Sequence, residues 1–322
     1  MSIAIVAWRK LSRRSTLLAQ ALNAQVLFFR DHLPYLRAIW RTHFAVRKAK
    51  PTILIVQLPQ GPLLLQALIL RWLTGCKVVA DVHTGFLTRE GWKGLLLNRP
   101  FKGLLRQADL ILGHNETQLD LIPKELQGKT IVVYDQWQFC IPQPLQQTAE
   151  GDYLVFPASF ARDEPLREVI KAVEIFDMPV KLYVTGNWKR QPQIKIGISE
   201  RVVFTGFLSE DEFNHLVAGS KAVITGTKRE YTSLMSAWEA VAYNKPLALT
   251  NTKTLQSLFG DYAVFFDWDN PESIREAIKT VLAATPSPVA REKLEQKTLQ
   301  SLQTLKAKLE ILTRSTSSEN AA

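Results

Sequence analysis

Residues 231–249, YTSLMSAWEAVAYNKPLAL, place a single carboxylate where a nucleotide can use it. The spacing predicts a short helix capped by Ser233, with Leu234, Ala237, Trp238 and Val241 on its apolar face. Asn244 and Pro246 end it before the apolar run 247–249. A helix start offers unpaired N–H groups and the positive end of the dipole, so Thr232, Ser233 and Leu234 mark a place for a diphosphate. Glu239, about one and a half turns on, is placed to accept ribose hydroxyl hydrogens. The ordinary alternative is a glutamate solvated on a surface helix.

A second constellation lies in the first half. Asp81, His83 and Thr84 follow the apolar run VVAD, at the carboxyl edge where open parallel sheets hold ligands. His83 there can orient or stabilise a reacting group, with Asp81 fixing its ring; a histidine at a strand end is also commonly structural. Arg13 and Arg14, flanked by Ser12 and Ser15, fall where the first strand's loop enters a helix. Cations there oppose the helix dipole by about 0.3 to 1 kcal/mol each unless an anion is present; an acceptor phosphate is one candidate, and arginines simply extended into solvent are the alternative. Asp267-Trp268-Asp269 spells a divalent-ion motif, but it precedes Pro271-Glu272-Ser273, where Asp and Asn are ordinary turn and cap residues. No metal ligand set is expected.

The elements that must position these residues alternate throughout. Strand-length apolar runs (IAIVA, VLFF, TILIV, KVVAD, DLILG, TIVVY, then YLVFP, VKLYVTG, RVVFTG, KAVITG, PLAL, AVFF) are separated by helix-length segments, among them expected helices near 92–106 and 116–123. That is the pattern of α/β domains with parallel sheets covered on both faces. The polar stretch 143–151 reads as a linker. The expected organisation is a first domain over 1–145, a second over 151–285, an amphipathic helix over 286–312 and a disordered tail over 313–322. The N-terminus is too short and lacks the leading charge of a signal peptide, no run reaches spanning length, and the two cysteines have no metal spacing, so a cytoplasmic location is expected.

Charge is one-sided: residues 1–150 hold 19 Lys and Arg against 9 Asp and Glu, while 151–322 hold 21 against 21. Two basic stretches interleave aromatics with cations, one including Trp40 and Arg41, the other Trp92, Lys93, Phe101 and Lys102. Rings bordering a cationic face suit an anionic membrane surface. With no nucleic-acid module, a nucleic-acid partner is not expected.

The second half resembles the retaining glycosyltransferases of the GT-B fold, group 1 or family 4 type. The residues that carry this are YLVFPASFARDEPLREVIKAVEIF, KLYVTGN, RVVFTGFLSEDEF, KAVITGTKREYTSLMSAWEAVAYNKPLAL and DWDNPESIREAIKTVL, about 130 residues in the family's order. The first half matches in its rhythm and in DVHTGF. The resemblance implies two Rossmann-like domains across a cleft, with the last helix returning to the first domain. It also implies a metal-independent transferase that needs no cofactor and takes a UDP- or GDP-linked sugar.

Residue by residue, Glu239 matches the second of the family's two glutamates, the one on the ribose; the first falls on Tyr231, with Glu230 one residue early. Glu230 or Tyr231 is then left to meet the sugar, or the site is degenerate. The family's paired diphosphate-gripping cations are not laid out normally in PASFARDEP, where Arg162 is the lone cation and Ser159 a hydroxyl donor; the alternative for Arg162 is an ion pair with Asp163 or Glu164. Gly186 and Asn187, at the end of KLYVTGN, complete the expected donor set, with packing alone the alternative for Asn187, and His83 matches the histidine that approaches the donor sugar. With the basic first half, the expected acceptor is a saccharide, lipid-linked in a surface polysaccharide pathway, with the protein peripheral on the inner face of the cell membrane. Two rivals share the fold: a catalytically silent partner subunit and a nucleotide-sugar 2-epimerase.

Overall fold

The computed structural model describes residues 1–58, 60–88, 91–139, 152–195 and 197–319, with side chains given except at 91–93 and 315–319. Two compact units divide the chain: Met1–Phe139 with Gln296–Ala322, and Cys140–Glu295.

In the first unit, β1 (Ile3–Trp8), α1 (Arg13–Leu22), β2 (Gln25–Phe29), α2 (Leu36–Ala49), β3 (Ile53–Leu58), α3 (Gly61–Thr74) and β4 (Lys77–Val82) alternate strictly. They are followed by α4 (Thr84–Thr88), α5 (Gly91–Leu97), α6 (Arg99–Lys102), β5 (Leu110–Gly113), α7 (Lys124–Gln127) and β6 (Thr130–Val132). The six strands form one parallel sheet in the order β2-β1-β3-β4-β5-β6. Because β1, β3 and β4 are covered on both faces, they are apolar almost without interruption rather than alternating. Val6, Leu54, Val56 and Val78 pack under α2 and α3, while Ile3, Ile5, Ile55 and Val79 pack under α1.

The second unit repeats the scheme with β7 (Tyr153–Pro157), α8 (Leu166–Glu174), β8 (Lys181–Thr185), β9 (Val202–Gly206), α9 (Glu210–Ala218) and β10 (Ala222–Thr225). It continues with α10 (Met235–Ala242), β11 (Leu247–Thr250), α11 (Lys253–Phe259), β12 (Val264–Phe266) and α12 (Pro271–Ala283). Its sheet order is β12-β11-β10-β7-β8-β9, again all parallel. The final helix, α13 (Pro288–Glu319), starts in this unit, where Arg291 Nε donates to the Val241 carbonyl at 3.1 Å. From Gln296 on it belongs to the first unit, and Leu302, Leu305 and Leu309 are buried in the core beneath α1.

Three expectations need correction. Residues 92–106 are not one helix: α5 and α6 meet at Asn98, Pro100 sits in the first turn of α6, and 103–107 form a 3-10 turn. Proline lacks the N–H that would continue the ladder. Residues 116–121 are likewise a 3-10 turn. The last helix runs on to Glu319, through most of the expected tail, since RSTSSE contains no Gly or Pro to stop it. The last three residues lie outside those described, as does the whole expected linker, 143–151.

Candidate functional site

In the second unit the strand order reverses between β7 and β10, so the crevice at their carboxyl ends is the topological switch point where such sheets bind ligands. The loops leaving these two strands are tied together. Lys228 N donates to the Asp163 carbonyl at 2.7 Å, Thr227 Oγ1 donates to Asp163 Oδ2 at 2.9 Å, and Arg229 stands 3.6 Å from Asp163 Oδ1. Gly186 closes the neighbouring end of β8. Its φ of +97° belongs to the left-handed region, and a Cβ there would lie 2.0 Å from the Ala158 carbonyl oxygen. Beside it the Asn187 side chain accepts from Lys189 N at 3.2 Å, bending the chain into a short turn.

The β10 loop delivers α10, with one correction at its start. The N-cap is Leu234, which places no side-chain hydrogen bond on the first turn. Ser233 is not the cap; its hydroxyl accepts from the Trp238 indole N–H at 2.9 Å. The helix start at 232–234 is therefore where the sequence places it, and Leu234 itself contributes no side-chain cap. Glu239 projects from α10 and is 7% exposed, which excludes the solvated surface glutamate. Asn244, at φ +52°, ends the helix as expected.

Glu230 has a different task from the expected one. Its carboxylate accepts from Lys253 N at 3.1 Å, Thr254 N at 3.3 Å and Thr254 Oγ1 at 3.2 Å, so both oxygens close the first turn of α11. Helix N-termini favour such an anion. Tyr231, next to it, is left-handed at φ +62° and donates its N–H to Thr254 Oγ1. In the β7 loop, Ser159 donates through both N and Oγ to Glu164 Oε1. Arg162 is exposed, and among the described residues its guanidinium pairs with neither Asp163 nor Glu164. Lys228 and Arg229 add cations to this edge. Sequence reasoning missed them because the β10 loop joins the β7 loop only once the sheet is assembled. Asp267 and Asn270 are turn and cap residues: Asp267 N donates to Ser273 Oγ, and Asn270 caps α12.

In the first unit, the expected edge carries more than Asp81 and His83. Arg14, from the first turn of α1, lies buried with its guanidinium 3.2 Å from Asp81 Oδ1 and 3.1 Å from Asp135 Oδ1. This corrects the acceptor-phosphate role: the anions that relieve Arg14 at the helix start are the protein's own. Burial works against its charge, and the two carboxylates outweigh that and raise its pKa. Burial also pushes Asp81 toward protonation, but Arg14 and His114 hold it well below the usual carboxylate range. The loop ahead of α1 is pinned as well, with Gln57 Oε1 accepting from Ser12 N and Ser15 Oγ at 2.9 and 2.8 Å.

His114, at the end of β5 next to β4, was not visible as a partner in the sequence. Its Nε2 stands 3.2 Å from Asp81 Oδ1, while His83 Nε2 stands 3.5 Å from Asp81 Oδ2. The two imidazoles meet edge to face with centroids 4.6 Å apart. Burial, then the charge of Arg14, lowers the His114 pKa from 6.5 to about 4, so it is neutral near pH 7. Asp81, His83 and His114 bring ligand-capable atoms within 4.8 Å of one another. A cation there would face the Arg14 guanidinium on the same carboxylate, so the cluster is better suited to orienting His83 than to holding a metal. Thr84 opens α4 directly after His83, and its carbonyl accepts from Thr88 Oγ1. Arg13 is half-buried on α1.

Residues 141–299 match the family model described as glycosyl transferases group 1. That match takes in nearly all of the second unit and likens it to the group 1 glycosyl transferases. The likeness in fold extends across nearly the whole chain. HepE from Anabaena, in complex with UDP and glucose, aligns with a TM-score of 0.72 at 13% identity, covering 96% of this chain and 99% of that one. Sucrose-phosphate synthase from Thermosynechococcus elongatus aligns at 0.64 and 12% identity, over 99% of each chain. The lipopolysaccharide outer core galactosyltransferase WaaB aligns at 0.58 and 12% identity, over 95% of this chain and 100% of that one. Similarity at this identity establishes two Rossmann-like units of the GT-B type. No curated protein matches the transferase in sequence.

The membrane residues expected from the sequence divide. Trp40 and Arg41 are exposed on α2. Phe101 instead packs against the core under α3, and Lys102 Nζ donates to the Leu87 carbonyl, which removes Phe101 as a surface anchor. The side chains of Trp92 and Lys93 lie outside the described residues. No helix among the described residues is long and apolar enough to cross a membrane.

Proposed function

We propose that the transferase moves a sugar, with retention and without a metal, from a UDP- or GDP-linked donor to a lipid-linked saccharide acceptor of a surface polysaccharide. It works as a peripheral protein on the inner face of the cell membrane. The observation that carries the donor half is the buried Glu239 on a helix whose first turn takes no side-chain cap and which leaves the β7–β10 switch point. The helix start and the loop cations Arg162 and Arg229 receive the diphosphate, and Glu239 accepts from the ribose hydroxyls. UDP and glucose in the HepE complex support a uridine donor, and the WaaB likeness supports a surface-saccharide acceptor.

In the reaction, the bond from the anomeric carbon to the diphosphate oxygen breaks and a bond to the acceptor oxygen forms on the same face. The acceptor's proton passes to the leaving phosphate, so no strong protein base is required. His83, held by Asp81, is the first unit's candidate to orient or stabilise a reacting group.

Thermal unfolding with UDP, GDP and their sugars tests this. A donor at a hundredfold its dissociation constant stabilises by about 2.7 kcal/mol. Glu239→Gln should erase most of that gain, and the absence of protection by every nucleotide would refute the reading. The engagement of both Glu230 oxygens at α11 favours a second reading, a silent partner subunit that binds donor without turnover. Donor protection with neither transfer nor slow hydrolysis would select it.

A further inference from the structure

The strongest feature left unused is the outer surface of α2 and α3. Both helices follow strands of the same parallel sheet and bury their inner sides in one core, α2 through Ala38 and Val46 and α3 through Leu63, Leu64, Ala67 and Leu70. Their opposite sides are apolar too. On α2, Leu36, Trp40 and Phe44 are 68%, 64% and 52% exposed; on α3, Leu65, Ile69 and Trp72 are 42%, 46% and 85% exposed. Spacings of three and four residues align each triplet along its helix. The band is therefore about 12 Å long and two helices wide. Soluble surfaces scatter such residues singly, and a contiguous row of six marks a contact surface.

Charge identifies the occupant. Between Asp31 and Asp81 the chain has no acidic residue and seven Lys or Arg. Arg37, Arg41, Arg47 and Lys48 are exposed on α2 beside the apolar row. A second copy of this chain would set like charges against each other, and a nucleic acid has no hydrocarbon to receive the leucines and isoleucine. An anionic bilayer satisfies both halves, with hydrocarbon and headgroup interface for the rings and lipid phosphate for the cations.

We propose that the α2–α3 face docks on an anionic lipid bilayer, with Trp72 and Trp40 as the two inserted anchors. Trp72 lies outside both basic stretches evident in the sequence; it becomes an anchor because α3 packs beside α2. This names the membrane partner of the proposed function and rests on that reading only for its purpose. Binding is measured without nucleotide, so failure here leaves donor recognition standing.

The test is flotation of the full chain with vesicles of phosphatidylcholine alone or with one quarter phosphatidylglycerol, at low and high salt. The chain should float with the anionic vesicles at low salt. Trp40→Ser with Trp72→Ser should lower the bound fraction at least tenfold, and Arg37→Glu with Arg41→Glu should abolish the preference for anionic lipid. All variants should keep the wild-type melting temperature, because these side chains point outward. Three results overturn the proposal: no flotation with anionic vesicles at low salt, flotation unchanged in the double tryptophan variant, or a concentration-dependent dimer or duplex DNA complex that the tryptophan variant abolishes while vesicle binding is absent.

Discussion

The His114 imidazole links the geometry of the first unit to a measurable pH dependence. In the folded chain it titrates near 4 because it is buried beside the Arg14 guanidinium; in the unfolded chain it titrates near 6.5. The folded state therefore binds fewer protons than the unfolded state between these values. The sign follows: this contribution to stability is present above pH 6.5, falls as the pH drops, and reaches its full loss below about 4. From pH 7.5 to 5 the loss is about 2 kcal/mol, and by pH 3.5 it is about 3. Asp81, held well below its ordinary value, contributes in the other direction of charge: its stabilisation is present above the unfolded carboxylate value and is lost below it. The two windows are thus distinct.

The perturbation is His114→Gln, which keeps a polar group at the end of β5 and removes the titration. Urea unfolding of wild type and variant at pH 7.5 and 5, compared as a difference of differences, cancels the ionisable groups that do not touch His114. Wild type should lose about 2 kcal/mol more than the variant over this interval. An NMR titration of labelled histidine checks the same quantity directly. Equal pH sensitivity in both proteins, or a His114 midpoint above 6, would refute the burial argument.

Other substitutions probe the rest of the scheme. Arg14→Met strands two buried carboxylates and should cost about 3–5 kcal/mol, read by denaturant unfolding, with Asp135→Asn restoring part of it. Glu230→Ala should cost about 1 kcal/mol through the lost helix-end interaction at α11 while donor affinity stays put; a large loss of donor affinity instead would return this carboxylate to the sugar. Glu239→Gln should weaken nucleotide-sugar binding by roughly 10- to 100-fold in calorimetry, with a melting temperature near wild type. Gly186→Ala must adopt a left-handed φ against the Ala158 carbonyl and should destabilise by at least about 1–3 kcal/mol in thermal unfolding.

What the sequence alone determined is the alternation of strands and helices. The twelve strands among the described residues occur where the apolar runs lie, since a strand buried on both faces has to be a short unbroken run, a local property of composition. The start of α10 and the position of Glu239 were legible for the same reason: helix termini and stop signals act over a few neighbours. Loop endings and the segment 92–106 were less legible, because a proline and glycines compete with hydrophobic spacing there.

The tertiary structure decided which charges meet. Arg14 finds Asp81 and Asp135, 67 and 121 residues away, because α1, β4 and the chain after β6 end on one sheet edge. Glu230 is drawn to the start of α11, 23 residues on, and His114 enters the Asp81 cluster because β5 pairs with β4. Trp72 joins Trp40 on one surface only through the packing of α3 beside α2. Electrostatic partners are chosen by distance in space, and a chain that returns to one edge from six parallel strands brings together residues whose sequence neighbourhoods carry no sign of each other.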